Sequence, residues 1–495
     1  MGIPGYEFGT IMKKFLKAPN IPMQSDDMEH KKEEDISEWY NELVELAGLC
    51  DKRYPVKGLN IWLPYGWKIM QLIDAKIRKM FDDTGHAEVC FPLLIPENEF
   101  QKEAEHIKGF SAQVFWVTHA GENPLDIKLV LRPTSETAMY SMFSIWIRSH
   151  GDLPMKLYQI VNVFRYETKQ TRAFIRVREI HFFESHTCHA DAEDAERQIK
   201  ENVGIMEKLG SALCLPYILH KRPDWDKFAG AVYSLGADLL IGEKTLQIGT
   251  IHQYHENFAR AYGIMYEDRD GSHKYCHQTT FGLSERLVGA IVGVHGDNSG
   301  LILPPSIAPY QVVIVPVPKK ELKEKIENYA RQIYEALNKE GIRVHIDLRD
   351  LRPGNKYYDW ELKGVPLRIE VGQKEMEEEK VTVAVRNTKE KITLAKEKLV
   401  SDIKSLLDAF ASQLYEKARK ELEENVHFIN SIEEGKNKQG ILRFNWCGKE
   451  ACGIEIEKRL DVSVLGIPVN EKSKHGKCII CGAETDIIAD AGRAL

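Results

Sequence analysis

No uninterrupted apolar run of about 18 residues occurs in the chain, so no membrane-spanning helix and no membrane partner are expected. The amino terminus MGIPGYEFGTIMKK also lacks the basic-then-apolar layout of a secretory leader, and the cytoplasm is the expected compartment. An excess of one charge is missing too: 67 Lys and Arg stand against 74 Asp and Glu, a net charge of −7. A polyanionic partner must therefore be met by local basic patches rather than by the field of the whole molecule. Cysteine is sparse, nine residues in 495. Five of these thiols are scattered (Cys50, Cys90, Cys188, Cys214, Cys276), which suits a reducing compartment. No repeat of roughly 20 to 50 residues is present. No GxxxxGK[ST] loop offers a ready phosphate cradle.

What is there is enough apolar material, 43% of residues, for several packed cores, and the length suits about three domains. Residues 1–35 mix Gly, Pro and the charge run DDMEHKKEED, and read as a flexible or loosely docked extension. Helical spacing begins in SEWYNELVELAGLC and continues in WKIMQLIDAKIRKMFDDTG, which runs into a strand in HAEVCFPLLIP. Strand-like runs then accumulate (KLVLRPTS, KLYQIVNVFRYE, AFIRVREIHFFE, KTLQIGTIHQYHENF) with few strand–helix alternations, so a mainly antiparallel sheet is expected over 36–306. After LILPPSIAPY the chain alternates VVIVPVP, ENYARQIYEALNKEG, IRVHIDLRD and VPLRIEVG, a compact α/β unit over 307–402. Residues 403–495 open with a charged helix and end in a small cysteine-bearing segment. The class is α+β.

Three segments concentrate charge. In FRYETKQTRAFIRVREIHFFE, residues 164–184, Arg165 and Glu167 share one face of a strand, and Arg176 and Arg178 share a face of the returning strand. An exposed hairpin with weak cross-strand ion pairs carries the same pattern. TTFGLSERLVGAIVGVHGDNSG, residues 279–300, puts Gly282 at a strand-to-helix junction with Ser284 and Arg286 at the helix start, where N–H groups and a guanidinium can face an anion. LRPTSET, residues 131–137, adds Arg132, Thr134 and Glu136. Together they describe a pocket of guanidinium groups with one or two carboxylates. Such a pocket suits a substrate with negative phosphates and a positive amine, handled by clamped charge rather than by a nucleophile.

FRYE with FIRVRE resembles the second signature of the class II aminoacyl-tRNA synthetases, GLSER the third, and the helix leading to Pro92 the first. RPTSET, WDKFAGA, QIGTIH, HGDNSGLILPP and DWELKGVPLRIEVG, in that order over residues 36–495, resemble prolyl-tRNA synthetases of the archaeal and eukaryotic type. The resemblance implies a class II antiparallel catalytic domain flanked by helices, an α/β anticodon-binding domain and a small C-terminal zinc-binding domain. It implies that a homodimer activates L-proline with ATP to prolyl-adenylate, releasing pyrophosphate, and esterifies the 3′ end of tRNA(Pro).

By the same carry-over, Arg165 bridges the proline carboxylate and the α-phosphate, and Arg286 joins it in catalysis. Arg176 and Arg286 hold the ATP tail and adenine, and Glu167, Gln247, Thr250 and Ser284 bind the nucleotide, with Mg2+ on phosphate oxygens. Thr134, Glu136 and His252 hold the prolyl amine and carboxylate, while Phe228, Phe281 and Gly282 wall the ring. His252 equally suits a packed sheet histidine, and the two phenylalanines suit ordinary core positions. Glu361, Arg368, Lys374 and Glu375 become candidates for reading unstacked anticodon bases, as against a solvated charged face.

Cys447-x4-Cys452 and Cys478-x2-Cys481, separated by 25 residues, match a structural zinc held by four thiolates, as against reduced thiols without a metal. Three departures from the family pattern stand out: Ile180 where relatives carry Phe, Val232 where they carry an acid, and an ending GRAL in place of a terminal tyrosine. The gap of about 90 residues between the second and third signatures is too short for an inserted hydrolytic domain. No editing in cis is expected, and alanine and cysteine become candidates for misactivation. The rival readings are a threonyl or histidyl relative and a catalytically inactive tRNA-binding or regulatory paralogue.

Overall fold

The computed structural model describes residues 28–104, 113–166, 170–317 and 319–495. Helix α1, Ile36–Leu46, begins where the Asp35 carboxylate accepts from the backbone of Ser37 and Glu38, and it buries Trp39, Tyr40, Leu43 and Val44 on one stripe. Helix α2, Pro64–Asp82, opens on a proline, whose missing N–H is not needed there, and buries Ile69, Met70, Ile73, Ile77 and Phe81. Of the expected extension, residues 28–35 are docked: Lys32 Nζ donates to the carbonyls of Val294 and Gly296 at 3.1 and 2.8 Å.

The main sheet is assembled from β1 (Ala87–Glu88), β2 (Met155–Phe164), β3 (Glu179–His189), β4 (Ile218–Lys221), β5 (Tyr233–Ile241), β6 (Lys244–His255) and β7 (His277–Ser284). Helix α3, Glu136–Trp146, precedes β2; α4, Ala192–Ala212, follows β3; and α5, Arg286–His295, follows β7. Helices α1, α2, α4 and α5 cover one face, meeting Phe183, Ile248, Ile251 and Phe281 in the main core. The opposite face is left for the cavity described below.

The α/β unit has β8 (Val312–Pro316) between β9 (Val344–Ile346) and β10 (Leu367–Val371), both parallel to it, and continues antiparallel into β11 (Lys380–Val385) and β12 (Lys391–Ala395). Val312 and Ile314 pack toward α6 (Lys323–Lys339), and Val313 and Val315 pack with Trp360 of α7 (Pro353–Leu362). Helix α8, Leu399–Glu424, buries Leu399, Ile403, Leu407, Phe410, Leu414, Ala418 and Leu422, steps of three and four residues that keep one side toward the protein.

The C-terminal segment contributes β13 (Val426–Phe428), β14 (Ile441–Asn445), helix α9 (Glu450–Leu460), β15 (Ser463–Pro468) and β16 (Ile488–Gly492). Its strands extend the main sheet, since β15 pairs with β4 through Ile467 with Lys221 and Pro468 with His220. One sheet of 11 strands therefore runs β13-β14-β16-β15-β4-β5-β6-β7-β3-β2-β1, antiparallel except at its two outermost pairings. Sequence periodicity gave no sign of this continuity, because hydrogen bonding between residues some 250 apart leaves no local pattern.

Candidate active site

A cavity of about 370 Å³ lies on the open face of β3, β6 and β7. Side chains alternate across a strand, so Ile180, Phe182 and Glu184 of β3 face it while Phe183 faces the helices. In β7 Thr280, Gly282 and Ser284 line the cavity; in β6 Gln247, Thr250 and His252 do.

One end is a dense polar network. Glu136, at the start of α3 and 2% exposed, accepts from the Thr134 hydroxyl and, at 3.3 Å, from Tyr254. Glu184 accepts from Ser135, from Gln159 Nε2 at 2.9 Å, and pairs with His186 Nε2 at 3.2 Å. Burial works against charge on both members of this pair, but their mutual hydrogen bond and charge keep the Glu184 pKa lowered and the His186 pKa raised. His252 is the opposite case. Burial, reinforced by the cations of His186 and Arg222, pushes its pKa down to about 3. It stands as neutral imidazole between the hydroxyls of Ser234 at 2.7 Å and Thr250 at 3.1 Å, with the Phe228 ring 4.8 Å away, centroid to centroid.

The other end gathers guanidinium groups. Arg165 follows β2 directly, donates Nε to the Pro133 carbonyl at 3.0 Å and lies 5.8 Å from the Phe182 ring centroid. Arg176 lines the cavity from the loop before β3, and Arg286 opens helix α5, its Nε on the Ile175 carbonyl at 3.0 Å and an Nη on that of Gln247 at 3.4 Å. Beside it, burial holds the Glu285 pKa up to about 8, and its carboxyl accepts from the His181 N–H at 2.9 Å.

The structure brings Thr134, Glu136, Arg165, Arg176, Phe228, Gln247, Thr250, His252, Gly282, Ser284 and Arg286 to this one cavity. Glu167 lies outside the described residues. Phe281 is not a wall: its ring is fully buried on the helix side, 5.6 Å from Phe81 and 6.1 Å from Phe183, because it has the opposite strand parity to Thr280 and Gly282. The returning strand starts only at Glu179, so Arg176 and Arg178 sit in the loop, which folds back through the Arg172–Arg176 bridge. Gly282 is within β7, and the strand-to-helix junction falls at Glu285. Arg132 is turned away, bracing the carbonyls of Phe91 and Asn162 at 2.7 and 2.9 Å. Sequence reasoning missed Phe182, Glu184, Arg222, Asp226 and Ser234, all of which line the cavity. The period-two pattern through Ile180, Phe182 and Glu184 was the available signal, and Phe182 supplies the aromatic face that Ile180 lacks. Val232 is 40% exposed and is not among the lining residues.

Residues 115–295 match the family profile of the class II tRNA synthetase core domain (G, H, P, S and T), residues 311–406 the anticodon binding domain, and residues 429–495 the prolyl-tRNA synthetase C-terminal domain. The proline-tRNA ligase of Thermococcus kodakarensis is 58% identical over 94% of this chain and 99% of its own length. The chain belongs to the proline-tRNA ligase family. The proline-tRNA ligase of Methanosarcina mazei is 49% identical over 92% of this chain and 95% of its own. Among solved structures, the prolyl-tRNA synthetase of Giardia lamblia in complex with prolyl-adenylate superposes with a TM-score of 0.92 at 34% identity, covering 95% of this chain and 100% of that one.

The remaining candidate residues fall in two other places. In the α/β unit Glu361 and Arg368 border a cavity of about 260 Å³ together with Trp360, Arg386, Lys389 and Lys391. Lys374 and Glu375 are placed apart, on the short helix Gln373–Glu377, where Glu375 accepts from the Gly372 N–H at 3.0 Å and the Thr382 hydroxyl at 3.2 Å. In the C-terminal segment the sulfurs of Cys447, Cys452, Cys478 and Cys481 all lie within 4.8 Å of one another, a four-thiolate donor set of the kind that suits tetrahedral zinc.

Proposed function

We infer that the protein activates L-proline with ATP and transfers the prolyl group to tRNA(Pro). The observation that carries this reading is one cavity holding a buried carboxylate and a neutral, doubly hydrogen-bonded histidine at one end and three arginines at the other. Proline offers a secondary amine and a carboxylate on an apolar ring. A narrow slot with Phe228 on its wall and Glu136 as acidic anchor suits it. His252 carries no charge at neutral pH and so adds polarity there without repelling the prolyl ammonium.

In the first step a proline carboxylate oxygen attacks the α-phosphorus of ATP, the bond to the bridging oxygen breaks, and pyrophosphate leaves. In the second a terminal ribose hydroxyl of the tRNA attacks the prolyl carbonyl and AMP leaves. Arg165 takes up charge as the pentacoordinate phosphorus forms; Arg286 and Arg176 hold the triphosphate and adenine, with Gln247, Thr250 and Ser284 around them. Of the lining carboxyls, Glu136, Glu184 and Glu285 already accept from protein donors and Asp226 faces Arg222 at 4.0 Å; magnesium would be held through phosphate oxygens and would offset the charge of the phosphates.

In the same proposal the domains run 36–306, 307–402 and 403–495 after an N-terminal extension, and Glu361, Arg368, Lys374 and Glu375 serve anticodon recognition. The four cysteines hold a structural zinc, and two chains form a homodimer. Exposed Leu94, Trp116 and Ile127, on the small sheet of Leu94–Pro96, Trp116–Ala120 and Asn123–Leu131, supply apolar surface for that contact. Among the described residues no helix is long and apolar enough to cross a membrane, and the thiols are free, which supports a cytoplasmic setting. The test is charging of a tRNA(Pro) transcript with labelled proline. ATP-dependent, acid-precipitable proline is expected; no charging by folded protein would overturn the reading.

A further inference from the structure

The loop between β4 and β5 has two sides. From one, Asp226 and Phe228 face the cavity. From the other, the Trp225 indole packs against the core of the C-terminal segment, a cluster that includes Trp446, Cys452 and Cys478. It meets Trp446 edge to face at 5.7 Å. Helix α9 makes room for it at Gly453: a Cβ there would stand 2.2 Å from the far edge of the indole. The buried Trp225 Nε1 has no hydrogen-bond partner among the described residues, so the seat holds by shape alone.

A second strut runs beside the first. Arg222, which also lines the cavity, donates to Asp238 at 2.7 Å and to the Leu465 carbonyl of β15 at 3.0 Å. Its guanidinium lies flat against Gly236, whose missing Cβ makes the approach possible. Asp238 is joined through His220, at 2.7 and 3.1 Å, to Asp490 of β16. Both struts end in the segment that carries the four thiols, and both begin at the proline end of the cavity rather than the nucleotide end.

We propose that the four-cysteine segment positions the amino-acid pocket: Trp225, seated against Trp446 and Gly453 in the core that also holds Cys452 and Cys478, fixes the loop that presents Phe228 and Asp226, so the state of the thiol cluster sets the affinity for proline. This rests on reading the cavity as a proline site. Trp225 is a positioning residue and touches no substrate. With its seat loosened, the loop is competent for only a fraction of the time, and apparent affinity falls by that fraction while chemistry on bound substrate is unchanged.

The test uses the full-length protein, with Trp225→Ala, Trp225→Phe and Gly453→Ala, in proline-dependent ATP–pyrophosphate exchange and in calorimetric titration with proline. Trp225→Ala should raise the KM for proline about tenfold, leave kcat and the KM for ATP within about twofold, and be largely rescued by Trp225→Phe. Gly453→Ala should move the proline KM the same way although alanine favours the helix, because the added methyl displaces the indole. Chelation of wild-type protein should weaken proline binding in the calorimeter, and added zinc should restore it. An unchanged proline KM in both Trp225→Ala and Gly453→Ala, or proline and ATP constants rising together, would overturn the proposal while leaving the activity standing. A wild-type protein without proline-dependent exchange would overturn both.

Discussion

Replacing Asp490 by asparagine removes one charge from a buried chain without changing its shape. Asp490 is fully buried and accepts two hydrogen bonds from Arg443, each at 2.8 Å, and one from His220 at 3.1 Å. The variant leaves two cations facing an amide, and removing one partner of a buried pair costs about 3–5 kcal/mol. The lower end is expected here, because Arg443 keeps Glu471 at 2.7 Å and His220 keeps Asp238. Urea unfolding followed by Trp225 and Trp446 fluorescence measures it, as the shift of the transition that carries the C-terminal segment.

The pH dependence has a defined sign. Burial disfavours the His220 imidazolium, but Asp238 and Asp490 outweigh it and raise its pKa above the ordinary 6.5. That stabilisation is complete below pH 6.5 and is lost as pH rises through the elevated folded-state value. Asp238 and Asp490, set against Arg222, Arg443 and His220, are depressed below 3.8, so their contribution is present above that pH and lost as it falls through the lowered values. Asp490→Asn should flatten the alkaline limb. A loss below about 1 kcal/mol, the range of an exposed pair, would refute the reasoning.

Arg165→Ala should lower proline-dependent exchange by about 10²–10³-fold or more with tRNA binding retained; near-normal exchange would remove Arg165 from its role. Glu285 holds its proton up to about pH 8 when folded, so wild-type stability should fall as pH rises from 4.5 toward 8. Glu285→Gln should remove that fall, and an unaltered stability profile would contradict a buried neutral carboxyl. Elemental analysis should find about one zinc per chain, and chelation should expose the C-terminal segment to proteolysis; protein free of zinc yet resistant would sink the four-thiolate site.

Legibility followed the range of the interactions. The stripe of α8 and the long strands were readable because helical and two-residue periods are local. The cysteine pairs were readable because metal ligands need fixed spacings. Charge density misled at Arg176 and Arg178: both stand in the loop before β3, whereas the same composition also describes a hairpin strand. Phe281 misled for another reason, since a neighbour of a pocket residue on a strand points to the other face. The chain from Arg222 through Asp238 and His220 to Asp490 was invisible, being made by β4, β5 and β16, strands that meet only in the folded sheet. Trp225 stood in view within WDKFAGA, but its seat across the C-terminal segment did not.

The most direct measurement of the central claim is ATP–pyrophosphate exchange driven in turn by proline, threonine, histidine, alanine and cysteine. Strong exchange with proline, weaker exchange with alanine and cysteine at high concentration, and none with threonine or histidine is the predicted pattern. Exchange driven by threonine or histidine, or silence with all five in folded protein, would contradict it.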